Sequence, residues 1–288
     1  MKAKLLKDCI DVQLVVSDIE GSLTFWRDLL GFQIEEKVNP VPGVFQYRLR
    51  AGDSLVKLVT GDKAQASALL NKSGYRGLTI QFVNFHEIVD NLRSKGYKFL
   101  FDARPSFVHP NSGKLICLLA DPEGNILELE SPPNPDWRPD YYSEAGGEKR
   151  QGPAAQLAKD SFDVHLVVSD IEKSLGFWCD ALGLEVEDKY SPSPDITLYR
   201  VLAGDSVIKI VTRSEKAAVG ILKETGFRAL TLTIDNVDEM IEACRSQGYN
   251  IVMDVRPSFV YGSTGKRVSQ VQDPEGNVVQ LETMLASD

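Results

Sequence analysis

The sequence has 288 residues, with 32 lysines and arginines against 41 aspartates and glutamates, and its formal net charge is −9. This length suggests two domains, and the 43% hydrophobic content is ordinary for a globular protein. The acidic balance argues against general nucleic-acid binding, and no apolar run is long enough to span a membrane. The first residues are too short and polar for a signal peptide. Four scattered cysteines without a C-x-x-C pair exclude a zinc ribbon and a disulfide scaffold, and predict reduced thiols in a cytoplasmic protein.

An internal repeat organises the chain. Asp11-Val-Gln-Leu-Val-Val-Ser-Asp-Ile-Glu20 recurs as Asp163-Val-His-Leu-Val-Val-Ser-Asp-Ile-Glu172, an offset of 152 residues that holds without a gap from residue 11 to residue 130. Two equivalent domains are therefore expected. We place them at residues 1–131 and 161–288. The segment 132–160 is rich in proline, glycine and charge and is predicted to be a linker, parts of which pack down through Trp137, Tyr141 and Tyr142.

Each repeat contains the same order of elements twice. Residues 11–17 alternate as a strand, Asp18 is a predicted N-cap, and apolar residues at helical spacing predict a helix from Ile19 to Leu30 that ends at Gly31. The elements predicted next are strands at 32–38, 44–50 and 54–60 and a helical segment at 63–72. The order then recurs as a strand at 77–83, a helix at 85–95, and strands at 97–103, 114–120 and 125–130. The predicted fold class is α+β, with each repeat built as βαβββ twice.

Two motifs in each repeat carry a family resemblance. They are Ser22-Leu-x-Phe-Trp-x-Asp-x-Leu-Gly31 and Asp121-Pro-Glu-Gly-Asn-x-x-Glu-Leu129, which return at Ser174–Gly183 and Asp273–Asn277. The pattern resembles the vicinal oxygen chelate superfamily of glyoxalases, bleomycin-resistance proteins and extradiol dioxygenases. The resemblance covers nearly all of the chain except the termini and the linker. It implies incompletely closed, eight-stranded barrels of two βαβββ modules, each around a cavity for a small-molecule ligand. Because members often pair, it also leaves a homodimer as an open expectation.

The resemblance implies a divalent metal in such a cavity, with iron, zinc, nickel and manganese as candidates. Family enzymes usually take a His or Gln from the first strand of one module, a His from the first strand of the other, and a Glu from the last strand. That Glu corresponds to Glu128 in the first repeat and to Gln280 in the second. The usual position on the second module's first strand is occupied by Gly77 and Ala229, which offer no ligand.

The first strand places four polar residues at or near the remaining ligand position. Asp11 and Asp163 occupy the position itself, and Gln13 and His165 follow two residues later on the same face. Neither repeat alone supplies the ligand set. At matched positions Gln13, His109 and Glu128 of the first repeat become His165, Tyr261 and Gln280 of the second.

Crosswise pairing of modules between the repeats would segregate these residues. One cavity would then hold a metal set of His165, His109 and Glu128, with two imidazoles and one carboxylate. The other, metal-free cavity would hold Gln13, Tyr261 and Gln280. We hypothesise this crosswise pairing with one metal site, while pairing within each repeat stays open.

Charged residues repeated in both copies are candidates for substrate binding. An arginine beside a rigid proline turn can bind an anionic group, and a lysine on an apolar strand can do the same or form a salt bridge with Asp11 or Asp163. Glu128 among apolar residues needs a cation, which is either a metal or Lys57. The full set of substrate-binding candidates is Asp11, Gln13, Lys57, Arg104, Asp163, Lys209, Arg256, Tyr261 and Gln280.

Three other features have structural explanations. His86 opens a helix and is predicted to be a surface residue. Trp26 and Trp178 fall on apolar helix stripes and are predicted to be core residues. The acids of the turn Asp121-Pro-Glu-Gly-Asn125 are predicted to be solvated.

Two function classes follow from the resemblance and the candidate residues. The first is an enzyme, of lyase, isomerase or dioxygenase type, that acts on a small oxygenated metabolite with His165 and Glu128 as catalytic residues. Its chemistry would use either a metal chelated by vicinal substrate oxygens or general-base catalysis. The second is a metal-free protein that sequesters a hydrophobic or aromatic compound, as bleomycin-resistance members do. The missing second histidine favours sequestration, and the unlike polar residues of the two repeats favour the enzyme.

Overall fold

The computed structural model describes residues 2–61, 74–106, 111–133, 156–193, 196–212 and 226–284. Module 1 contains β1 (Asp11–Val15), α1 (Ile19–Leu23), β2 (Gln33–Val41), β3 (Val44–Ala51) and β4 (Ser54–Gly61). Module 2 contains β5 (Gly74–Gln81), α2 (Phe85–Ser94), β6 (Phe99–Pro105), β7 (Leu115–Ala120) and β8 (Ile126–Glu130). Module 3 contains β9 (Asp163–Val168), α3 (Ile171–Leu175), β10 (Glu185–Ser193), β11 (Ile196–Ala203) and β12 (Ser206–Thr212). Module 4 contains β13 (Gly226–Thr233), α4 (Val237–Ser246), β14 (Ile251–Pro257), β15 (Arg267–Gln272) and β16 (Val278–Glu282).

The predicted α+β class and the βαβββ order are confirmed in all four modules. The helical segment predicted at 63–72 and the aromatic residues of the linker lie outside the described residues. The end of the linker is described, and it does pack down, since Ala158 N donates to Gln81 O at 2.9 Å. No helix in the described part of the chain is long and apolar enough to cross a membrane.

The first helix of each repeat starts as the sequence predicts and then widens. The Asp18 side chain accepts a hydrogen bond from Gly21 N at 3.0 Å, the expected N-cap. After α1 the chain continues as a π-helical turn, Thr24–Leu29, instead of the continuous α-helix predicted to Leu30. The wider turn accommodates the adjacent rings of Phe25 and Trp26, both fully buried.

The strands of the two repeats are exchanged between two sheets. Sheet 1 has the order β14-β15-β16-β13-β1-β4-β3-β2, and sheet 2 the order β10-β11-β12-β9-β5-β8-β7-β6. Antiparallel pairing of β1 with β13 joins module 1 to module 4, and pairing of β5 with β9 joins module 2 to module 3. The hypothesis of crosswise module pairing is therefore confirmed, and neither sheet closes on itself.

The helices keep the two modules of one repeat together while their strands enter different sheets. The rings of Phe25 and Tyr97 lie 5.2 Å apart, and Asn91 Nδ2 donates to Leu29 O at 3.3 Å. The predicted core positions of Trp26 and Trp178 are confirmed, because both side chains are fully buried. Each such buried apolar side chain contributes about 1.5–3 kcal/mol. One continuous core thus extends under both sheets.

The turn after β7 is buried, and the prediction that its acids are solvated is wrong. Asp121 accepts hydrogen bonds from Asn125 N at 2.8 Å and from Glu123 N at 3.0 Å. Glu123 accepts from the backbone N of Ser17 at 2.6 Å and of Asp18 at 2.8 Å. The acids are buried because they satisfy backbone donors at the end of β1, and they tie module 2 to module 1.

Candidate functional site

Each sheet bounds a cavity built from both repeats. Cavity 1, in sheet 1, has a volume of about 400 Å³, and cavity 2, in sheet 2, about 290 Å³. Both are close to the size of ordinary small-molecule sites. The polar side chains that line cavity 2 are Gln81, Ser106, Lys114, Glu128, Glu130, Lys159, Asp163, His165, Tyr190, Arg200 and Lys209.

Three side chains that line cavity 2 form one hydrogen-bonded cluster with a buried threonine. We call these residues, His165, Glu128, Lys209 and Thr79, the His165 cluster. His165 Nε2 lies 2.8 Å from Thr79 Oγ1 and 3.4 Å from Glu128 Oε1. Lys209 Nζ donates to Thr79 Oγ1 at 2.7 Å and to Glu128 Oε1 at 3.1 Å. Thr79 Oγ1 lies 3.0 Å from Glu128 Oε1. The structure thus brings together the two predicted catalytic residues, from different repeats.

The exchange of strands between the sheets explains why His165 and Glu128 lie in the same cavity. His165 on β9 faces Gly77 on β5 in the sheet register, and Glu128 on β8 faces Thr79 on β5. Gly77 occupies the position at which the sequence resemblance implies a histidine ligand. A Cβ there would lie 2.8 Å from the carbonyl oxygen of Ile126, so the close approach of β8 leaves no room for a side chain.

Charge in cavity 2 is balanced pair by pair. Burial would raise the pKa of Glu128, but Lys209 and His165 outweigh it and hold that pKa well below its ordinary value. Lys209 Nζ also lies 3.7 Å from Glu130 and 3.9 Å from Asp163. The remaining pairs are Lys114 with Glu130, Lys159 with Asp163, and Arg200 with Glu187. Glu128 is therefore an ionised, lysine-bound carboxylate.

The prediction that Lys57 partners Glu128 is wrong. Strand exchange puts Lys57 on β4 in sheet 1, where its Nζ lies 3.0 Å from Asp11 Oδ2. The cation at Glu128 is Lys209 from the second repeat. The predicted lysine–aspartate contacts are confirmed in both sheets, although Lys209 lies closer to Glu128 than to Asp163.

Cavity 1 carries amides where cavity 2 carries titratable groups. Gln13 and Gln280 line it at the positions of His165 and Glu128. Gln13 Oε1 accepts from Gln46 Nε2 at 3.4 Å, and Gln280 Nε2 donates to Glu282 Oε2 at 2.9 Å. Tyr261 lies beside this cavity, with its hydroxyl 2.7 Å from Arg48 Nη1 and in contact with Glu36. Of the three residues predicted for the metal-free cavity, Gln13 and Gln280 thus line cavity 1 and Tyr261 lies beside it.

Asp11 gives a pH-dependent prediction for sheet 1. Burial would raise its pKa, but Lys57 and Lys7 lower the pKa of Asp11 from 3.8 to about 2. Because the folded pKa lies below the unfolded one, the ionised carboxylate stabilises the fold above about pH 4. This stabilisation, about 2 kcal/mol, should disappear as the pH falls from about 3.8 to about 2.

Urea denaturation of the wild type and Asp11→Asn at several pH values tests this loss. The difference between their free energies of unfolding should shrink towards zero at the acid end, since a protonated Asp11 resembles asparagine. Asp188→Asn on the exposed side of β10 is the control for replacing an aspartate outside these ion pairs. A constant difference for Asp11→Asn would contradict the assigned ion pairs.

The two repeated arginines lie outside both cavities. Arg104 is exposed, with its guanidinium 4.1 Å from the centre of the Phe101 ring, and Arg256 is exposed at 4.2 Å from the Phe259 ring. Their predicted contact with an anionic substrate group stays a prediction. His86 is exposed, as predicted.

The described side chains of cavity 2 do not form a site for a divalent metal. His109 of the predicted metal set lies outside the described residues. Among the residues that the structure describes, no group of three or more His, Cys, Asp or Glu side chains is placed to hold a metal ion. Glu128 Oε1 is already bonded to the Lys209 ammonium. The described donor set of cavity 2 fits acid–base chemistry and does not fit a metal centre.

Several residues of the cavities were not identified from the sequence. Lys114 and Glu130 line cavity 2, the buried Thr79 bonds to Glu128 behind its wall, and Arg228 lines cavity 1. The sequence did contain a signal for these residues, because each is identical to the residue 152 positions away in the other repeat. The matching residues are, in the same order, Lys266, Glu282, Thr231 and Arg76. Repetition alone, however, does not separate cavity residues from core residues.

The open, eight-stranded sheets of paired βαβββ modules around polar cavities define a vicinal oxygen chelate type of protein. The sequence pattern of the Glyoxalase/Bleomycin resistance protein/Dioxygenase superfamily matches residues 10–129 and 161–281. The chain belongs to this superfamily, as a member with two tandem domains.

Relatives agree with this assignment. A Synechocystis sp. protein named "Probable lactoylglutathione lyase" is 29% identical over 121 residues, covering 40% of this chain and 87% of that protein. The crystal structure of glyoxalase I from Zea mays matches with a TM-score of 0.69 at 18% identity, covering 98% of this chain and 92% of that one. The cppA protein from Streptococcus pneumoniae matches at 0.53 and 12%, covering 98% and 99%. At these identities the two solved structures show the fold alone.

Proposed function

We propose that the protein is an enzyme that moves a proton on a small oxygenated metabolite bound in cavity 2, with His165 as the general base. The observation that carries this proposal is the His165 cluster itself. An imidazole is held against an ionised carboxylate inside a cavity of substrate size. The corresponding residues of cavity 1, Gln13 and Gln280, are amides and cannot act as a base near neutral pH.

The cluster supports proton transfer through its hydrogen-bond directions. Lys209 can only donate, and a Glu128 carboxylate can only accept, so the single Thr79 hydroxyl proton goes either to Glu128 or to His165 Nε2. When that proton goes to Glu128, Nε2 must carry its own proton and Nδ1 holds the lone pair. Glu128 then lies 3.4 Å from the ring nitrogen and stabilises the imidazolium that forms when His165 accepts a proton.

The proposed substrate class has a hydroxyl and a carbonyl on adjacent carbons. Lactoylglutathione, the compound in the name of the Synechocystis relative, has this arrangement. His165 would take the proton from the hydroxyl-bearing carbon, and the electron pair would move onto the carbonyl oxygen. Arg200 and Tyr190 line the same cavity and offer N–H and O–H donors to that oxygen.

The test is hydrogen exchange at that carbon. S-lactoylglutathione and a panel of α-hydroxy ketones and α-hydroxy thioesters are incubated with the protein in D₂O, and loss of the carbon-bound proton is followed by NMR. His165→Gln, which copies Gln13 of cavity 1, should slow enzyme-dependent exchange by about 10²- to 10⁴-fold. The same substitution at the exposed His86 is the control and should leave the rate unchanged.

Two results would contradict the enzyme. Equal exchange rates for His165→Gln and the wild type would remove His165 from the reaction. Stabilisation of the protein by panel compounds without any exchange, whether or not a chelator is present, would instead support sequestration of the bleomycin-resistance type.

A further inference from the structure

Arg228 is a buried cation that has no partner among the residues that the structure describes. Its side chain lines cavity 1 and is only 7% exposed. Its Nη1 atom makes no hydrogen bond, and no carboxylate in the described part of the chain lies within salt-bridge distance of the guanidinium. Burial lowers the pKa of Arg228, and no neighbouring acid of the described segments offsets this effect. Since a guanidinium does not lose its proton in proteins, a charge is held in the cavity wall at a cost in stability.

A β-bulge places this side chain. In the pairing of β1 with β13, Gln13 faces Ala229 and Leu14 faces Phe227, so Arg228 is the extra residue between them. Bulges redirect a side chain away from the strict alternation of a strand and are frequent beside functional sites. Without the bulge, alternation from Ala229 would turn Arg228 towards the opposite face of the sheet.

The other cations of cavity 1 are all paired. Lys57 has Asp11 at 3.0 Å, Lys266 has Glu282 at 2.7 Å, and Arg48 has Glu36 at 3.4 Å. Cavity 1 therefore carries one positive charge that no acid in the described ranges balances. Apart from the Ser258 hydroxyl, the rest of its wall is amide or apolar, with Gln13, Gln46, Gln270 and Gln280 beside Pro40, Val41, Val44, Val59, Val252, Met253, Phe259, Val260 and Val268.

We propose that cavity 1 is a second ligand site, which binds an organic monocarboxylate with an apolar body and uses Arg228 to hold the carboxylate. One unbalanced cation matches one anionic group, and the planar guanidinium can donate two parallel hydrogen bonds to a carboxylate. The apolar wall takes the body of the ligand, and the volume of about 400 Å³ accommodates an aromatic or short acyl group. This site is independent of the proton transfer proposed for cavity 2.

The probe is 4-fluorobenzoate, followed by ¹⁹F NMR titration of the full chain. The wild type should bind it, and Arg228→Met should weaken the binding at least about tenfold, because charge-assisted hydrogen bonds are lost. Neutral 4-fluorobenzamide, which has the same body, should bind the wild type at least about tenfold more weakly than the acid. Arg76→Met, the matched change in the second module of the first repeat, should leave benzoate binding unchanged.

Thermal unfolding separates a ligand-binding arginine from a structural one. Without ligand, Arg228→Met should raise the unfolding midpoint by about 2–4 °C, because an unpaired buried charge is removed. With 4-fluorobenzoate, only proteins that keep Arg228 should gain a further rise. A lowered midpoint for the ligand-free variant would indicate a structural role and overturn the proposal.

Three binding results would also overturn it. The first is equal affinity of the wild type for 4-fluorobenzoate and 4-fluorobenzamide. The second is a loss of benzoate binding in Arg76→Met but not in Arg228→Met. The third is full displacement of 4-fluorobenzoate by inorganic phosphate at equal concentration. The last result would indicate an inorganic-anion site. Because His165→Gln should retain benzoate binding in cavity 1, failure here is distinguishable from failure of the proposed reaction in cavity 2.

Discussion

Lys209→Met is expected to lower the free energy of unfolding by about 3–5 kcal/mol, because it leaves a buried carboxylate without its cation. Lys209 is buried beside Glu128, Glu130 and Asp163, and those three carboxylates raise the pKa of Lys209 against the opposing effect of burial. Glu130 and Asp163 keep other lysines after the substitution, but among the described residues Glu128 keeps no cationic partner other than His165. Urea denaturation near neutral pH measures the loss.

The matched lysine in sheet 1 should be less sensitive. Lys57 contacts Asp11 and Glu282, and each of these retains a second lysine, Lys7 at 2.5 Å and Lys266 at 2.7 Å. Cavity 1 has the neutral Gln280 where cavity 2 has Glu128. Lys57→Met should therefore cost about 1–3 kcal/mol, the range for an incompletely satisfied buried group.

A double variant and a surface control complete this test. Adding Glu128→Gln to Lys209→Met removes the unpaired charge and should recover at least part of the lost stability. Lys95→Met at the exposed end of α2 should stay within about 0.5 kcal/mol of the wild type. Equal losses at Lys57 and Lys209 would show that Glu128 does not depend on Lys209.

Gly204→Ala is expected to cost about 2–5 kcal/mol, from backbone strain combined with a steric clash. Gly204, in the turn between β11 and β12, has φ of +66°, which disfavours any side chain. A Cβ there would lie 2.5 Å from the backbone Cα and carbonyl carbon of Asp8. In the same turn Asp205 N donates to Asp8 O at 2.6 Å, so the clash falls where a turn of sheet 2 contacts the segment before β1 of sheet 1.

Gly248→Ala separates the two contributions. Gly248 has a similar φ of +83°, but a Cβ there would meet nothing within 4 Å. Its substitution should cost only the conformational strain, about 1 kcal/mol. Both variants are compared by chemical denaturation. Equal losses in the free energy of unfolding would mean that the Asp8 backbone can move away from the added Cβ without destabilising the fold.

The repeated motifs and the hydrophobic periodicity were sufficient to predict the α+β class, the βαβββ order and the buried positions of Trp26 and Trp178. These features depend on local physics, since strand alternation and helical spacing report which face of each element is buried. The N-cap of α1 at Asp18 follows for the same reason. The π-helical turn after it was missed, because its wider turn depends on how Phe25 and Trp26 pack against the core.

Only the tertiary structure shows which modules pair their strands in one sheet. Pairing within a repeat and pairing crosswise bury the same strand faces, so alternation along the chain does not distinguish them. The choice determines whether His165 meets Glu128 or Gln280, and whether Glu128 is neutralised by Lys57 or Lys209. Arg228 shows the same limit on a smaller scale, because the bulge that brings it into cavity 1 exists only in the register of β13 against β1. The sequence by itself thus determined the modules and their candidate polar residues. The tertiary structure decided which of those residues share a cavity, because contacts between distant strands depend on a register that local patterns do not encode.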